Sequence, residues 1–542
     1  MHALEEIERQ FQFMVVEVAQ QLEDAALALE SDDVGAMARV DARDDRVDNL
    51  KSMIENACFS RLLDQSLLEQ KELDFTRAVN IIANNLERIS DSSVRIVQRT
   101  TFVGSRVHLG RYEHRPLFNE VREALDVVVQ ALFEQDLSLA SKICNSESVL
   151  DGLYKAIYAD IVERLKSSPQ TSDLVTTLFI FRYLERMGDA LLNIGEAIIF
   201  SVLGEKLKID QYRALQRSLD DLGLELPLHE IAFEGIWGTR SGCRIGKLSG
   251  KSRRGATVAI FKEGKHAKIL QERRNLEIWK RIRPKLTPRV LGFHEDTENA
   301  SLSLEFLEGL TIQEVLARGD TNICERALEK LIETMVSIWT CTMKKEATRT
   351  TYIEQLFSRL DDVLAVHPDL KGSNDEGGML EPIELLRELE SGLLAPFTVF
   401  AHGDFNTNNI LYDARSDEIR YIDVHRSRDE DYVQDVSVFL VSNLRVPSSS
   451  RRVRRRLNEA NTRFLGAVRG FARERQDGCF DARLSLGLIR SFVTSARFEL
   501  DTDFAEEMIS RALEITSRLL RHPPATLQEL YLDEDMVTRS ES

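Results

Sequence analysis

Very little in this sequence can cross-link the chain, cross a bilayer or break a helix. Its six cysteines (Cys58, Cys144, Cys243, Cys324, Cys341 and Cys479) form no C-x-x-C pair. That excludes a disulfide framework and a zinc ribbon, and predicts reduced thiols in a cytoplasmic protein. No apolar run approaches the roughly 18 residues of a membrane helix. The opening MHALEEIERQ is acidic and amphipathic, the wrong pattern for a secretory signal. Excess positive charge is also missing: the formal charge is −18 at pH 7, which argues against a nucleic-acid partner. Only Pro116 and Pro169 interrupt the stretch from Leu4 to Gly204. What remains is a globular balance, 43% hydrophobic and 30% charged, over 542 residues. That is too long for one core and predicts at least two domains.

Residues 1–205 carry helical periodicity. Ile7, Phe11, Met14, Val18, Leu22, Ala25 and Leu29 recur at threes and fours on one face. The pattern predicts six long helices as two three-helix bundles, with breaks near Ser31–Val34, Gln65–Gln70, Gly104–Arg115, Gln135–Ser138 and Ser167–Thr171. The segment also repeats itself. Asp44 and Asp48 correspond to Glu147 and Asp151 at an offset of 103, and Glu87 and Asp91 to Glu185 and Asp189 at 98. Carboxylates four apart share a helix face and repel by roughly 0.2–0.5 kcal/mol per pair. Such pairs are either solvated acidic faces or oxygen ligands for a cation held between facing helices.

The phrases LERISDSSVRI and LERMGDALLNIGEAI resemble the repeated L-E-R-I-G-D-x-x-x-N-I motif of the PhoU family of phosphate-uptake regulators. The resemblance covers roughly the first 205 residues. It implies iron or zinc clusters on Asp44, Asp48, Glu87 and Asp91 in one bundle, and on Glu147, Asp151, Glu185 and Asp189 in the other. It also implies a phosphate transporter or sensor kinase as partner, membrane association through that partner, and a homodimer. The first repeat departs from the motif, with Ser90 for Gly and Arg95 for Asn.

Residues 206–228 lose this rhythm and predict a connecting helix over Gln211–Leu222, ended by Gly223. From 229 to 310 glycines crowd between short apolar runs (Ile231–Phe233, Arg244–Leu248, Thr257–Phe261), which predicts a small antiparallel sheet. The turn Gly235–Gly242 lacks a clean G-x-G-x-x-G and is a weak phosphate-loop candidate. In ATVAIFKEG, alternation puts Lys262 on the face of Val258 and Ile260, suited to pairing with nucleotide phosphates. Lys265 and Lys268 are rivals. The following helix offers Glu272 as the ion-pair partner of Lys262, with Glu277 as alternative.

The most informative stretch is AHGDFNTNNILYDARSDEIRYIDVHRSR, residues 401–428. It places His402, Gly403 and Asp404, then Asn409, then Asp423 after the strand-like Ile419–Ile422. In protein kinases an H-R-D-L-x-x-x-N loop uses its Asp as base and its Asn on magnesium, with a later Asp on the metal. Here Asp404 is the candidate base, Asn409 and Asp423 the Mg²⁺ ligands, and His402 a residue that orients the loop.

Gly403 in place of Arg, together with PRVLGF and LSLEFLEGLTIQEVL, resembles the aminoglycoside phosphotransferase and choline kinase branch. The resemblance implies a purine-binding hinge at Glu305–Leu307, with Glu305 and Leu307 in the nucleotide site. It implies a brace for the catalytic loop at Asp435, since Asp431 and Asp435 hold the two acidic positions of the family's D-P-x-x-D-L-A. Glu430 stands for the usual Gly and Tyr432 for the usual Pro. No D-F-G to A-P-E activation segment is present, which disfavours a protein kinase. The arginine run Arg451, Arg452, Arg454, Arg455 and Arg456 reads as a solvated face, or as a contact for an anionic substrate or the acidic bundles.

The expected architecture is an all-α PhoU-like domain of two three-helix bundles (1–205), a helical linker (206–228), and an α+β bilobal kinase-like domain. That domain has an N-lobe at 229–310, a C-lobe at 311–525, and a mobile acidic tail at 526–542. The expected function is ATP- or GTP-dependent phosphorylation of a small-molecule hydroxyl, coupled to phosphate homeostasis. The alternative is a regulatory adaptor whose kinase-like domain senses nucleotide without catalysis.

Overall fold

The apolar stripe of the first helix is buried from end to end: Ile7, Phe11, Met14, Val18, Leu22, Ala25 and Leu29 all lie in the core of the computed structural model. Each such Leu- or Phe-sized side chain withdrawn from water stabilises the fold by about 1.5–3 kcal/mol. The structure describes residues 2–31, 35–63, 69–104, 109–221, 232–235, 243–252, 255–295, 299–368, 380–446 and 450–539. These fall in two compact units, Met1–Phe261 and Lys262–Ser542.

In the first unit the long helices are α1 (His2–Glu30), α2 (Ala36–Leu63), α3 (Gln70–Thr100), α4 (Arg115–Phe133), α5 (Leu137–Leu165) and α6 (Thr171–Leu203). Helices α1–α3 pack as one three-helix bundle and α4–α6 as another, joined through α3 against α6. Two ends show how local sequence sets the limits. The Asp136 carboxylate accepts the amides of Ser138 and Leu139 to start α5, and Gly204, at φ 72°, ends α6 in the left-handed conformation. The expected connecting helix is α7 (Ile209–Asp221); Leu222 and Gly223 lie outside the described residues. Strand β1 (Ala232–Gly235) pairs antiparallel with β2 (Arg244–Ser252), and β3 (Gly255–Lys265) carries the chain into the second unit. Residues 236–242 of the glycine turn lie outside the described residues.

The second unit continues with α8 (His266–Ile282), β4 (Val290–Glu295), β5 (Asn299–Glu305), β6 (Leu310–Thr311), α9 (Ile312–Arg318) and α10 (Thr321–Thr342). Then come β7 (Thr348–Arg349), α11 (Tyr352–Phe357), α12 (Leu360–Val366), α13 (Glu381–Glu384), α14 (Leu386–Ser391), β8 (Leu394–Ala395) and β9 (Val399–Ala401). The chain closes with β10 (Ile410–Asp413), β11 (Glu418–Tyr421), β12 (Arg428–Glu430), α15 (Val433–Leu444), α16 (Arg451–Glu474), α17 (Phe480–Ala496) and α18 (Thr502–Arg521). Strands β4 and β5 are antiparallel, with an irregular register between Val290 and Gly292. A three-stranded sheet runs β11-β10-β6, and β12 pairs antiparallel with β9. Helix α17 is central, packing on α11, α12, α15 and α18.

The expected mobile tail is instead packed over most of its length. Leu532, Met536 and Val537 are buried, Asn461 Nδ2 donates to the Val537 carbonyl at 2.7 Å, and Arg511 holds the carbonyls of Asp535, Met536 and Thr538. Net acidity in this segment hides five apolar anchors, Leu527 and Leu530 among them, and apolar burial outweighs the charge. Among the described residues no helix is long and apolar enough to cross a membrane.

Candidate phosphotransfer site

The chemistry-bearing loop is held by backbone hydrogen bonds that its own sequence makes possible. Strand β9 ends at Ala401, and β12 returns alongside it with Arg428 opposite Ala401. This brings Ser427 against His402, whose carbonyl accepts the Ser427 hydroxyl at 3.0 Å. Between them the chain turns at Gly403, with φ 80°, and a Cβ there would collide with the Arg426 carbonyl. A side chain at 403 is therefore excluded twice, by backbone conformation and by space, which accounts for glycine where protein kinases have arginine. Gly403→Ala is expected to lower the unfolding free energy of this unit by about 1–3 kcal/mol and to displace Asp404. Denaturant unfolding and turnover of the variant, side by side, check both.

Asp435, buried at the start of α15, accepts the His402 amide on Oδ2 and the Gly403 amide on Oδ1, each at 2.8 Å. Burial pushes its carboxyl up to about 7, against the pull of the His402 amide. His402 is itself buried. Its Nε2 faces the Ile422 carbonyl at 3.0 Å and its Nδ1 accepts the Asp404 amide, so it links the loop to the end of β11. Burial lowers its pKa, consistent with a neutral ring that orients the loop.

Asn409 Nδ2 donates to the Asp404 carbonyl at 3.0 Å, which leaves the amide oxygen as the group able to ligate a cation. The Ile422 amide bonds the Asn409 carbonyl at 3.0 Å, and Ile410 pairs with Tyr421 across β10 and β11. Asn409 and Asp423 therefore sit at adjoining ends of paired strands, although 14 residues separate them. Asp423 adopts φ 58° and ψ 48°, a left-handed conformation uncommon outside glycine.

Lys262 is 2% exposed, and its Nζ lies 2.6 Å from both Glu272 Oε2 and Asp423 Oδ1. Burial alone would push the ammonium down, but the two carboxylates outweigh it and hold it above its ordinary value. Burial would raise Asp423; the hydrogen bond from His425 Nδ1, at 3.0 Å, and the Lys262 charge hold it far below the usual carboxylate range. Glu272 is positioned by α8, whose Asn275 donates to the Val424 and Ser427 carbonyls and whose Trp279 donates to Ser427 Oγ. Of the alternatives, Lys265 and Glu277 are exposed. At the proposed hinge, the Glu305 amide donates to the Arg289 carbonyl at 2.9 Å and its carboxylate pairs with the Arg289 guanidinium at 3.0 Å. Leu307 is half-buried there.

Three features escape the sequence reading. His425 joins Glu272 and Asp423 so that one ligating atom of each lies within 4.8 Å of the others. Arg426 Nη1 pairs with Asp404 Oδ2 at 3.3 Å. Asp431 takes Arg483, and with Asp477 encloses it completely. Tyr432, in place of the usual proline, donates its hydroxyl to Asp477 at 2.6 Å, which gives that departure a structural role. Only the histidine two residues beyond Asp423 carried a local signal. Within the arginine run, Arg456 donates to the Leu316 carbonyl and Arg455 faces Glu459.

In the helical unit the paired acids lie on α2, α3, α5 and α6 as expected, but no three of their ligating atoms gather within 4.8 Å among the described residues. Protein cations pair with three of these eight acids: Lys51 lies 3.5 Å from Glu87, Lys155 2.7 Å from Asp151, and Arg182 2.5 Å from Glu185. The departing Ser90 has a reason. Its hydroxyl donates to Asp44 Oδ1 at 2.7 Å, whereas Gly188, its counterpart, lets α6 approach α5 at Glu147. A cavity of about 640 Å³ between α3 and α6 is lined by Glu87, Asp91, Arg95, Arg186, Asp189 and Asn193.

A helical unit of two bundles, and a second unit with a buried Lys–Glu–Asp cluster beside an H-G-D loop, define a phosphotransferase-type domain carried behind a regulator-type helical domain. Comparison with known proteins agrees. A model of the PhoU domain matches residues 12–100 and 115–198, and a model of the phosphotransferase enzyme family matches 248–475. The phosphate-specific transport system accessory protein PhoU homolog of Caulobacter vibrioides is 31% identical over 33% of this chain and 81% of its own length. The homolog of Borreliella burgdorferi is 28% identical over 35% and 87% respectively. Through its helical region the chain belongs to the PhoU family, and its C-terminal region is a phosphotransferase-family domain. A choline kinase structure from Cryptosporidium parvum aligns over 56% of this chain and 94% of its own, at 15% identity and a TM-score of 0.35.

Proposed function

We propose that residues 229–525 transfer the γ-phosphoryl group of ATP or GTP to a hydroxyl of a small molecule, and that residues 1–205 tie this activity to phosphate status. The observation that carries the reading is Lys262, buried between Glu272 and Asp423 at 2.6 Å from each. A buried lysine with two carboxylates is costly to desolvate, and release of Asp423 to a metal would free it for phosphate oxygens.

In this reading Asp404 takes the proton of the attacking hydroxyl. His402, Gly403 and Asp435 hold it in place, and the Glu305–Leu307 backbone receives the purine. Asn409 and Asp423 are the hard oxygen donors that suit Mg²⁺, and the ion would supply charge neutralisation at the phosphates. The link to phosphate status is supported by the names of the PhoU relatives, and a phosphate transporter or sensor kinase is the partner proposed with it.

Lys262→Met is expected to lower kcat/KM for the nucleotide by about 10²- to 10³-fold. The check is steady-state turnover with ATP and with GTP over a panel of hydroxylated metabolites. Nucleotide binding with no turnover for any acceptor would favour the sensor reading.

A further inference from the structure

Helix α17 and its C-terminal cap carry arginines at 483, 490 and 497, seven residues apart and so along one stripe. The first is fully matched: Arg483 holds Asp431 and Asp477 with four hydrogen bonds. The other two are not. Arg490 is 3% exposed, yet among the described residues it has the Ser437 hydroxyl at 2.9 Å and the Tyr352 ring beneath it, and its Nε has no hydrogen-bond partner among them. Arg497 has a 3.7 Å pairing with the exposed Asp362 and lies over the Phe498 ring. Arg359, at the start of α12 where that helix packs on α17, makes no side-chain hydrogen bond or ion pair among the described residues.

These three converge electrostatically on Arg426 and Asp404, which are themselves paired. Burial first, and then Arg426, Arg490 and Arg497, push Arg359 down to about 10. The acids nearby do not offset this group. Glu430 also acts on Arg490 but is paired with Arg428, Glu499 is paired with Arg445, and the exposed Asp362 pairs with Arg497, which leaves Asp404 shared among four guanidinium groups. Burying like charges without carboxylate partners is costly unless an anion binds among them. The nucleotide end of the site, at Lys262 and Asp423, has its own counter-charges, and the arginine stripe belongs to the Asp404 side.

We propose that the acceptor phosphorylated beside Asp404 is an anion, a small hydroxyl compound carrying a phosphate or carboxylate that Arg359, Arg490 and Arg497 hold. The proposal rests on the phosphotransferase reading and specifies its substrate class. In the step, Asp404 takes the acceptor O–H proton and the acceptor oxygen bonds the γ-phosphorus. The bond from that phosphorus to the β,γ-bridging oxygen breaks, releasing the nucleoside diphosphate.

The test is turnover of the full chain with Mg²⁺ and ATP over charge-matched acceptors. Glucose 6-phosphate and glycerol 3-phosphate form the phosphate arm, gluconate and glycerate the carboxylate arm, glucose and glycerol the neutral arm, and choline and kanamycin the cationic arm. An anionic acceptor is expected to exceed its neutral parent by at least about 100-fold in kcat/KM. Arg359→Gln and Arg497→Gln are each expected to raise the KM for that acceptor by about tenfold or more while the KM for ATP stays in place. Calorimetric titration of the same anions into protein saturated with ADP and Mg²⁺ reads binding without chemistry.

Preference for a neutral or cationic acceptor overturns the anion proposal and leaves the kinase reading standing. So does a rise in the KM for ATP in place of the KM for the acceptor. Anion binding that the arginine substitutions abolish, with no turnover of any acceptor, supports the anion site and removes phosphotransfer. If no anion is bound or turned over, the proposal fails.

Discussion

Asp404→Asn is expected to lower turnover by about 10²- to 10⁴-fold, the range general-base catalysis supplies, with little change in nucleotide affinity. The substitution is nearly isosteric. The loop around it is fixed by other groups: Asp435 on the His402 and Gly403 amides, and Asn409 on the Asp404 carbonyl. Among the described residues the Asp404 side chain is held by Asn406 Nδ2 at 3.2 Å and Arg426 at 3.3 Å, so its replacement leaves the fold in place. The measurement is acceptor-dependent nucleotide turnover beside a nucleotide titration. Full activity in the variant would remove Asp404 from the chemistry. Loss of binding and turnover together would instead assign it a structural role.

Arg483→Met is expected to lower the unfolding free energy of the second unit by about 3–5 kcal/mol, because it strands two buried carboxylates. Arg483 is 0% exposed and makes four hydrogen bonds through its guanidinium. Nε reaches Asp431 at 2.9 Å, while Nη1 and Nη2 take the two oxygens of Asp477 at 2.8 and 2.7 Å. The Tyr352 and Tyr432 hydroxyls complete the network on those same aspartates. Arg483→Lys keeps the charge and loses the planar fork, and is expected to fall between wild type and Met. Denaturant midpoints of the three proteins decide it. An unchanged midpoint for Arg483→Met would show that the network is relaxed or hydrated in solution. Asp431 sits two residues before Val433, where α15 begins, and α15 carries Asp435. Damage here should therefore reach the loop from His402 to Asn409 as well.

The elements that sequence reasoning located are those whose determinants lie close together in the chain. The breaks between α1 and α6 follow from an apolar period of three and four and from capping residues such as Asp136. The loop from His402 to Asn409 is a single run whose geometry is set by its own Gly403 and asparagines. Lys262 was legible from strand alternation. Selecting Glu272 over Glu277 was a matter of which face α8 turns inward, and Asn275 and Trp279, both bonded to the 424–427 segment, set that face.

The tail is the opposite case. Its acidic composition suggested a mobile end, but a few apolar side chains and main-chain carbonyls find partners on α16 and α18 that no local pattern announces. The paired acids of the helices are a third kind. Their faces and repeat were legible, and so were the same-helix partners, Lys155 four residues after Asp151 and Arg182 three before Glu185, whereas only helix packing sets Lys51 of α2 against Glu87 of α3.

By itself, then, the sequence determined the two-bundle helical region, the kinase-type loop and the identity of its acid, amide and lysine, because periodicity and short motifs are properties of neighbouring residues. Tertiary structure alone decided the rest. It chose Glu272, brought His425 and Arg426 to the two aspartates, closed Arg483 between carboxylates, and left Arg359, Arg490 and Arg497 short of partners around Asp404. Charge balance at a site is summed over side chains distant in the chain. The arginine spacing at 483, 490 and 497 was visible in the sequence, but only packing shows that Arg483 is enclosed by two aspartates while Arg490 bonds a hydroxyl and Arg497 has a 3.7 Å pairing with the exposed Asp362.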